Sequence, residues 1–142
     1  MGAQRPVLSH QPIFVDSSAL VKLVRHEPES EALFADLQKW SDRVSSVVAR
    51  IEVYRALRRT GATPADRART EELFSAVTLV RLDDPILKLA ASLPDRHLGS
   101  LDAIQLATAL SIGDLPEAFI TYDLQLAKAA RRHGLRVLQP GP

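Results

Sequence analysis

The chain has 142 residues, 46% of them hydrophobic and 25% charged, enough to bury a core unaided and too balanced for a disordered or fibrous protein. It contains no cysteine, which excludes thiol catalysis, disulfides, zinc–thiolate sites and iron–sulfur clusters and fits a reducing compartment. The net charge of +1 is far from that of a dedicated DNA-binding module, although 14 of the 18 basic residues are Arg. In chain order, residues 1–12 are polar with two prolines and form an N-terminal extension without an apolar leader. No later run reaches the length of a membrane span, so a soluble, cytoplasmic protein with no membrane contact is expected.

Ile13 to Val15 form a short apolar run ending at Asp16, and Ser17 and Ser18 then offer a helix cap. Ala19, Leu20, Leu23 and Val24 follow at helical spacing, up to the break at Pro28. Glu29 to Trp40 reads as a second helix with Leu33, Phe34 and Leu37 on one face. A short strand at Arg43 to Ser46 leads into a helix from about Val47 to Thr60, stopped by Gly61. Pro64 opens the next helix, to about Val77, and Thr78 to Leu82 alternates as a strand. Asp83, Asp84 and Pro85 start a helix that ends near Pro94, and a turn at His97 to Ser100 precedes an apolar helix from Leu101 to Ile112. Ala118 to Tyr122 is a strand, Leu124 to His133 a helix stopped by Gly134, and Leu135 to Leu138 the last strand. Without repeat, low-complexity tract or linker, residues 1–142 read as one domain. Strands alternating with helices argue for an α/β sandwich around a mainly parallel sheet.

In such sheets ligands bind beyond the carboxyl ends of the strands. Asp16 and Asp123 each close a strand there, although either position also suits a helix cap. Glu52 lies among Val48, Ala49, Ile51, Val53 and Ala56, poor company for a solvated acid. Asp102 opens the most apolar helix, where a helix-dipole role is the rival reading. Four carboxylates brought together would repel by roughly 4 kcal/mol per close pair at an effective dielectric near 20, so they must hold protons or cations. With oxygen donors alone and no adjacent His, the set favours Mg²⁺ or Mn²⁺, ions that serve phosphoryl chemistry. Ser17 and Thr121 are placed to hydrogen-bond a carboxylate or a phosphate. Arg55, Arg58 and Arg59 are candidate RNA-binding residues, since the guanidinium fork suits phosphate, although a solvated helix face is the plainer explanation of such a cluster. His10, His26, His97 and His133 lack metal-ligand spacing and read as surface or cap residues; Trp40 reads as core or interface.

The stretch Phe14-Val15-Asp16-Ser17-Ser18-Ala19-Leu20 resembles the opening motif of PIN-domain nucleases, with Asp16 as their first acid. Ser46 to Leu57, carrying Glu52, is similar to the second motif, and Leu98 to Asp102 with Ala103 to Ala109 to the third. Phe119-Ile120-Thr121-Tyr122-Asp123 resembles the fourth, with Thr121 and Asp123 as its polar pair. The likeness runs from Ile13 to Leu138, with the motifs in the family's order. The compact length is most similar to VapC, the toxin of bacterial VapBC toxin–antitoxin pairs. That resemblance implies a three-layer PIN fold, endonucleolytic cleavage of RNA with Mg²⁺ or Mn²⁺, a homodimer, and inhibition by a VapB antitoxin lying over the acidic groove. Gln105 departs from the pattern, standing where many members carry His. The apolar helices from Ala19 to Leu57 are where a dimer interface is expected.

Other readings are a processing nuclease without an antitoxin, a non-catalytic RNA-binding module, and a phosphoacceptor receiver-like domain. The receiver needs early paired acids and a Lys after a late strand, whereas Asp83 and Asp84 are mid-chain and Asp123 follows the late strand. A non-catalytic module would be expected to have lost some of the four acids, and none is lost.

Overall fold

Two short apolar runs make the centre of the molecule: β1 (Ile13–Val15) and β4 (Ala118–Ile120). The computed structural model describes residues 11–113 and 115–142; residues 1–10, with His10 and most of the expected extension, lie outside the described part. These two strands pair in parallel, with Phe14 opposite Phe119 and Val15 opposite Ile120. Successive side chains leave a strand on opposite faces. Ile13, Val15, Ala118 and Ile120 therefore enter one core, and Phe14 and Phe119 another, where their rings stack 5.1 Å apart. All six are buried, which is why the strands read as unbroken apolar runs and not as alternating ones.

Beside these lie β2 (Arg43–Ser46), β3 (Thr78–Val80) and β5 (Val137–Leu138), giving a five-stranded, all-parallel sheet in the order β3-β2-β1-β4-β5. Parallel neighbours need crossovers. Those among the described residues run through α1 (Ser17–Val24), α2 (Ser30–Leu37), α3 (Ala49–Arg59), α4 (Pro64–Ser75), α5 (Asp84–Ser92), α6 (Ser100–Leu110) and α7 (Leu124–Arg132). Leu20, Leu33, Val53, Leu57 and Phe74 from α1 to α4 fill one core; Leu106, Leu126 and Ala130 from α6 and α7 fill the other. The result is the three-layer α/β/α sandwich expected of the sequence. Between the first and fourth helices, Asp66 is buried and accepts from Arg25 and Arg69, while it also closes a capping box with Thr63. Gly61 and Gly134, expected to stop α3 and α7, hold φ of +81° and +84°, where a side chain is disfavoured.

Several expectations need correction. Phe34 is 61% exposed, because α2 turns only Leu33 and Leu37 fully into the core. That helix also ends at Leu37, short of Trp40, whose buried ring donates its Nε1–H to Glu117 at 3.0 Å. The third strand stops at Val80, two residues early. Asp16, not Ser17 or Ser18, is the N-cap of α1. The described histidines are placed as expected: His133 is the C-cap of α7 and bonds Asp95, and His26 and His97 are exposed.

Candidate active site

Each of the four acids sits at the start of a helix. Asp16 follows β1 and caps α1, accepting from the Ala19 amide at 3.1 Å. Asp123 caps α7 by accepting from the Leu126 amide at 2.9 Å. Glu52 and Asp102 occupy the first turns of α3 and α6. The cap and dipole roles are therefore real, and they coexist with convergence: the positive ends of four helix dipoles face the carboxylates. The sheet order reverses between β1 and β4, the place where an open α/β sheet leaves a crevice beyond its strand ends. A pocket of about 410 Å³ lies there, lined by Asp16, Glu52, Asp102 and Asp123 together with Ser17 and Gln105.

Hydroxyl groups stitch the floor. Thr121 Oγ1 donates to Asp16 Oδ2 at 2.6 Å and accepts from the Asp123 amide at 3.1 Å. Ser18 Oγ donates to Asp16 Oδ1 at 2.7 Å and accepts from the Tyr122 amide at 2.9 Å, tying the end of the first strand to that of the fourth. Ser17 Oγ donates to Glu52 Oε1 at 2.9 Å, and Gln105 Nε2 donates to both Ser17 Oγ and Glu52 Oε1. Ser17 and Thr121 thus each bond one of the acids. Ser18 and Gln105 were not singled out as site residues. The signal for Gln105 was its place one turn after Asp102, the same face of an otherwise apolar helix.

Burial raises the Asp16 carboxyl to about 6 against the lowering effect of Thr121, Ser18 and the Ala19 amide, with Asp102 adding repulsion. Asp102 is also raised to about 6, by burial first and then by the charges of Asp123 and Glu52. Among the described residues no Lys or Arg forms an ion pair with any of the four. Among the described residues the acidic donors are oxygen throughout, and no His lines the pocket. That chemistry fits a hard divalent cation. The side chains stand apart, however: among the described residues no three His, Cys, Asp or Glu are grouped tightly enough to clasp a metal ion.

At the rim, Arg55 and Arg59 line the pocket; Arg58 is exposed but takes no part in the lining. Ile51 and Leu101, also in the lining, are exposed apolar side chains. Among the described residues no helix is long and apolar enough to cross a membrane.

Comparison with known proteins sets the pocket in context. The PIN domain family matches residues 13–135. Ribonuclease VapC46 of Mycobacterium tuberculosis is 41% identical over 128 residues, covering 90% of this chain and 97% of that one. Ribonuclease VapC47 of the same organism is 35% identical over 133 residues, covering 91% and 97%. Among solved structures, the fold is similar to VapBC2 of Rickettsia felis bound to a DNA fragment from their promoter, with a TM-score of 0.71 at 10% identity over 89% of this chain and 97% of that one. It is also similar to M. tuberculosis VapC20, described as a sarcin–ricin loop cleaving toxin, with a TM-score of 0.67 at 18% identity over 82% and 94%.

Proposed function

Because the chain belongs to the PIN-domain family, among its VapC ribonucleases, we propose that it is a Mg²⁺- or Mn²⁺-dependent endoribonuclease and the toxin of a VapBC-type pair. The observation that carries this reading is the convergence of Asp16, Glu52, Asp102 and Asp123, from four helix starts, on one pocket where, among the described residues, no Lys or Arg is ion-paired with them. A cation held there by these carboxylates supplies the positive charge that polarises a phosphoryl group, favours ionisation of an attacking water and stabilises the leaving oxygen.

The protein's own residues supply position and access. Thr121, Ser18 and the Ala19 amide hold the Asp16 carboxylate by both its oxygens, so it meets a ligand without reorienting. Arg55 and Arg59, on the exposed rim, attract the phosphate backbone and make binding salt-sensitive. In the reaction a water oxygen bonds to phosphorus as the bond from phosphorus to the 3′ oxygen breaks, and the water's proton ends on that 3′ oxygen. The products are a 5′-phosphate and a 3′-hydroxyl.

The partners we propose are RNA as substrate, a VapB-like antitoxin and a second copy of the chain in a homodimer, acting in the cytoplasm. Among proteins of similar fold, the R. felis structure holds both members of a VapBC pair, which supports the antitoxin. The test is the chemistry of the cut ends. Purified protein with Mg²⁺ or Mn²⁺ is expected to leave ends that ligate or label as 5′-phosphates. Ends carrying 2′,3′-cyclic phosphate would overturn hydrolysis, since they require attack by the RNA's own 2′-OH.

A further inference from the structure

We propose that Gln105 is a positioning residue for Glu52: with Ser17 it holds one carboxylate oxygen fast and leaves the other for the cation. The proposal rests on the metal-dependent reading above. Gln105 is 1% exposed and lines the acidic pocket from α6. Its amide nitrogen lies 2.8 Å from Ser17 Oγ and 3.0 Å from Glu52 Oε1 and donates into that pair, while Ser17 Oγ donates to Glu52 Oε1 at 2.9 Å. Three helices, α1, α3 and α6, thus close a ring of hydrogen bonds around a single carboxylate oxygen. Among the described residues Glu52 Oε2 receives no donor.

The direction of the amide follows from its neighbours. Reversed, it would set its carbonyl oxygen about where the nitrogen now lies, acceptor against acceptor beside the carboxylate. The orientation that serves Glu52 has a consequence: Gln105 Oε1 is buried with no hydrogen-bond partner. A side chain kept only for packing would not carry an unpaired buried acceptor. Leucine fills nearly the same space and suits a helix of Leu, Ile and Ala. The amide is therefore held for its donor nitrogen, which removes rotational freedom from a half-buried glutamate. Groups that orient ligands from behind contribute to metal affinity in this way.

The experiment compares wild type, Gln105→Leu and Gln105→His by Mn²⁺ binding in paramagnetic resonance or calorimetry, by RNA cleavage, and by thermal melting without metal. In Gln105→Leu the melting temperature is expected to hold or rise, Mn²⁺ affinity to weaken roughly 10-fold or more, and kcat to fall with KM little changed. Gln105→His, whose ring N–H can donate to Glu52, is expected to recover much of both. Wild-type Mn²⁺ binding and cleavage in Gln105→Leu would overturn the positioning role alone. So would a lower melting temperature in both variants, in proportion to lost activity, since that is the mark of a packing residue. If wild type itself neither binds Mn²⁺ nor cuts, the nuclease reading falls and this proposal falls with it.

Discussion

Asp16 serves two masters with different needs. As the cap of α1 it must accept hydrogen bonds; as a site carboxylate it must also be charged. Asparagine keeps the acceptor and removes the charge. Asp16→Asn is therefore expected to reduce metal-dependent cleavage on the order of 10²-fold or more, the usual effect of losing a group that places charge in a water-poor site. Its melting temperature near neutral pH is expected to stay level or rise, because a buried carboxyl raised to about 6 resists ionisation there. A large fall in melting temperature would mean that the charge itself stabilises the fold. The rim arginines offer a second comparison. Arg55→Ala and Arg59→Ala are each expected to raise KM and to lower the salt slope of RNA binding by about 1, whereas Arg58→Ala, outside the pocket lining, is expected to change little. At this level the residue types were legible: acids after apolar strands and an acid inside an apolar helix announce themselves. The bonds of Gln105 to Ser17 and Glu52, and of the Tyr122 amide to Ser18, were not, since they join residues more than 50 positions apart.

The helices show how much local chemistry already decides. Pro64 made the start of α4 readable, and the structure adds a full capping box between Thr63 and Asp66. Thr63→Ala is expected to cost about 1 kcal/mol of stability, seen as a melting point lower by a few degrees, with cleavage unchanged. Asp123 allows its two roles to be separated. Asp123→Asn is expected to preserve the cap of α7 and lose activity, while Asp123→Ala is expected to lose both activity and stability. Equal melting temperatures in the two variants would show that the cap contributes nothing. Where the sequence misled, tertiary context was the reason. Phe34 stands three residues before the core residue Leu37, at helical spacing, but periodicity cannot say which edge of a stripe meets a neighbour and which meets solvent. Trp40 lies beyond the end of α2, since its burial and its bond to Glu117 come from distant residues.

The alternation of strands and helices made the parallel sandwich legible, but strand order was not, because order depends on which crossovers fall on which side. That order, β3-β2-β1-β4-β5, sets β1 beside β4 and so brings Asp16 to Thr121 and Asp123. The same assembly governs how stability responds to pH. Asp16 and Asp102 have folded-state values of about 6 against an ordinary 3.8, so the fold binds their protons more tightly than the unfolded chain does. Their contribution is complete below about 4 and is lost as pH rises through 6. Asp66, held by the Thr63 amide, Arg25 and Arg69, and Asp95, held by His133 and Arg132, are lowered instead; their contribution is present above about 4 and lost as pH falls further. Metal-free protein is therefore expected to melt higher near about pH 5 than near about pH 7.5, and Mg²⁺ to raise the melting point more at the higher pH. A melting point that climbs steadily across that interval without metal would contradict the cluster's electrostatics.

The most direct measurement is cleavage of one RNA by wild type and by Asp16→Asn, Glu52→Gln, Asp102→Asn and Asp123→Asn, each folded and each assayed with Mn²⁺ and with EDTA. Wild type is expected to cut at discrete positions only with the metal, and all four variants to lose most of that activity together. Cutting that survives EDTA, or an Asp16→Asn protein as active as wild type, would contradict a reaction carried out at these four carboxylates.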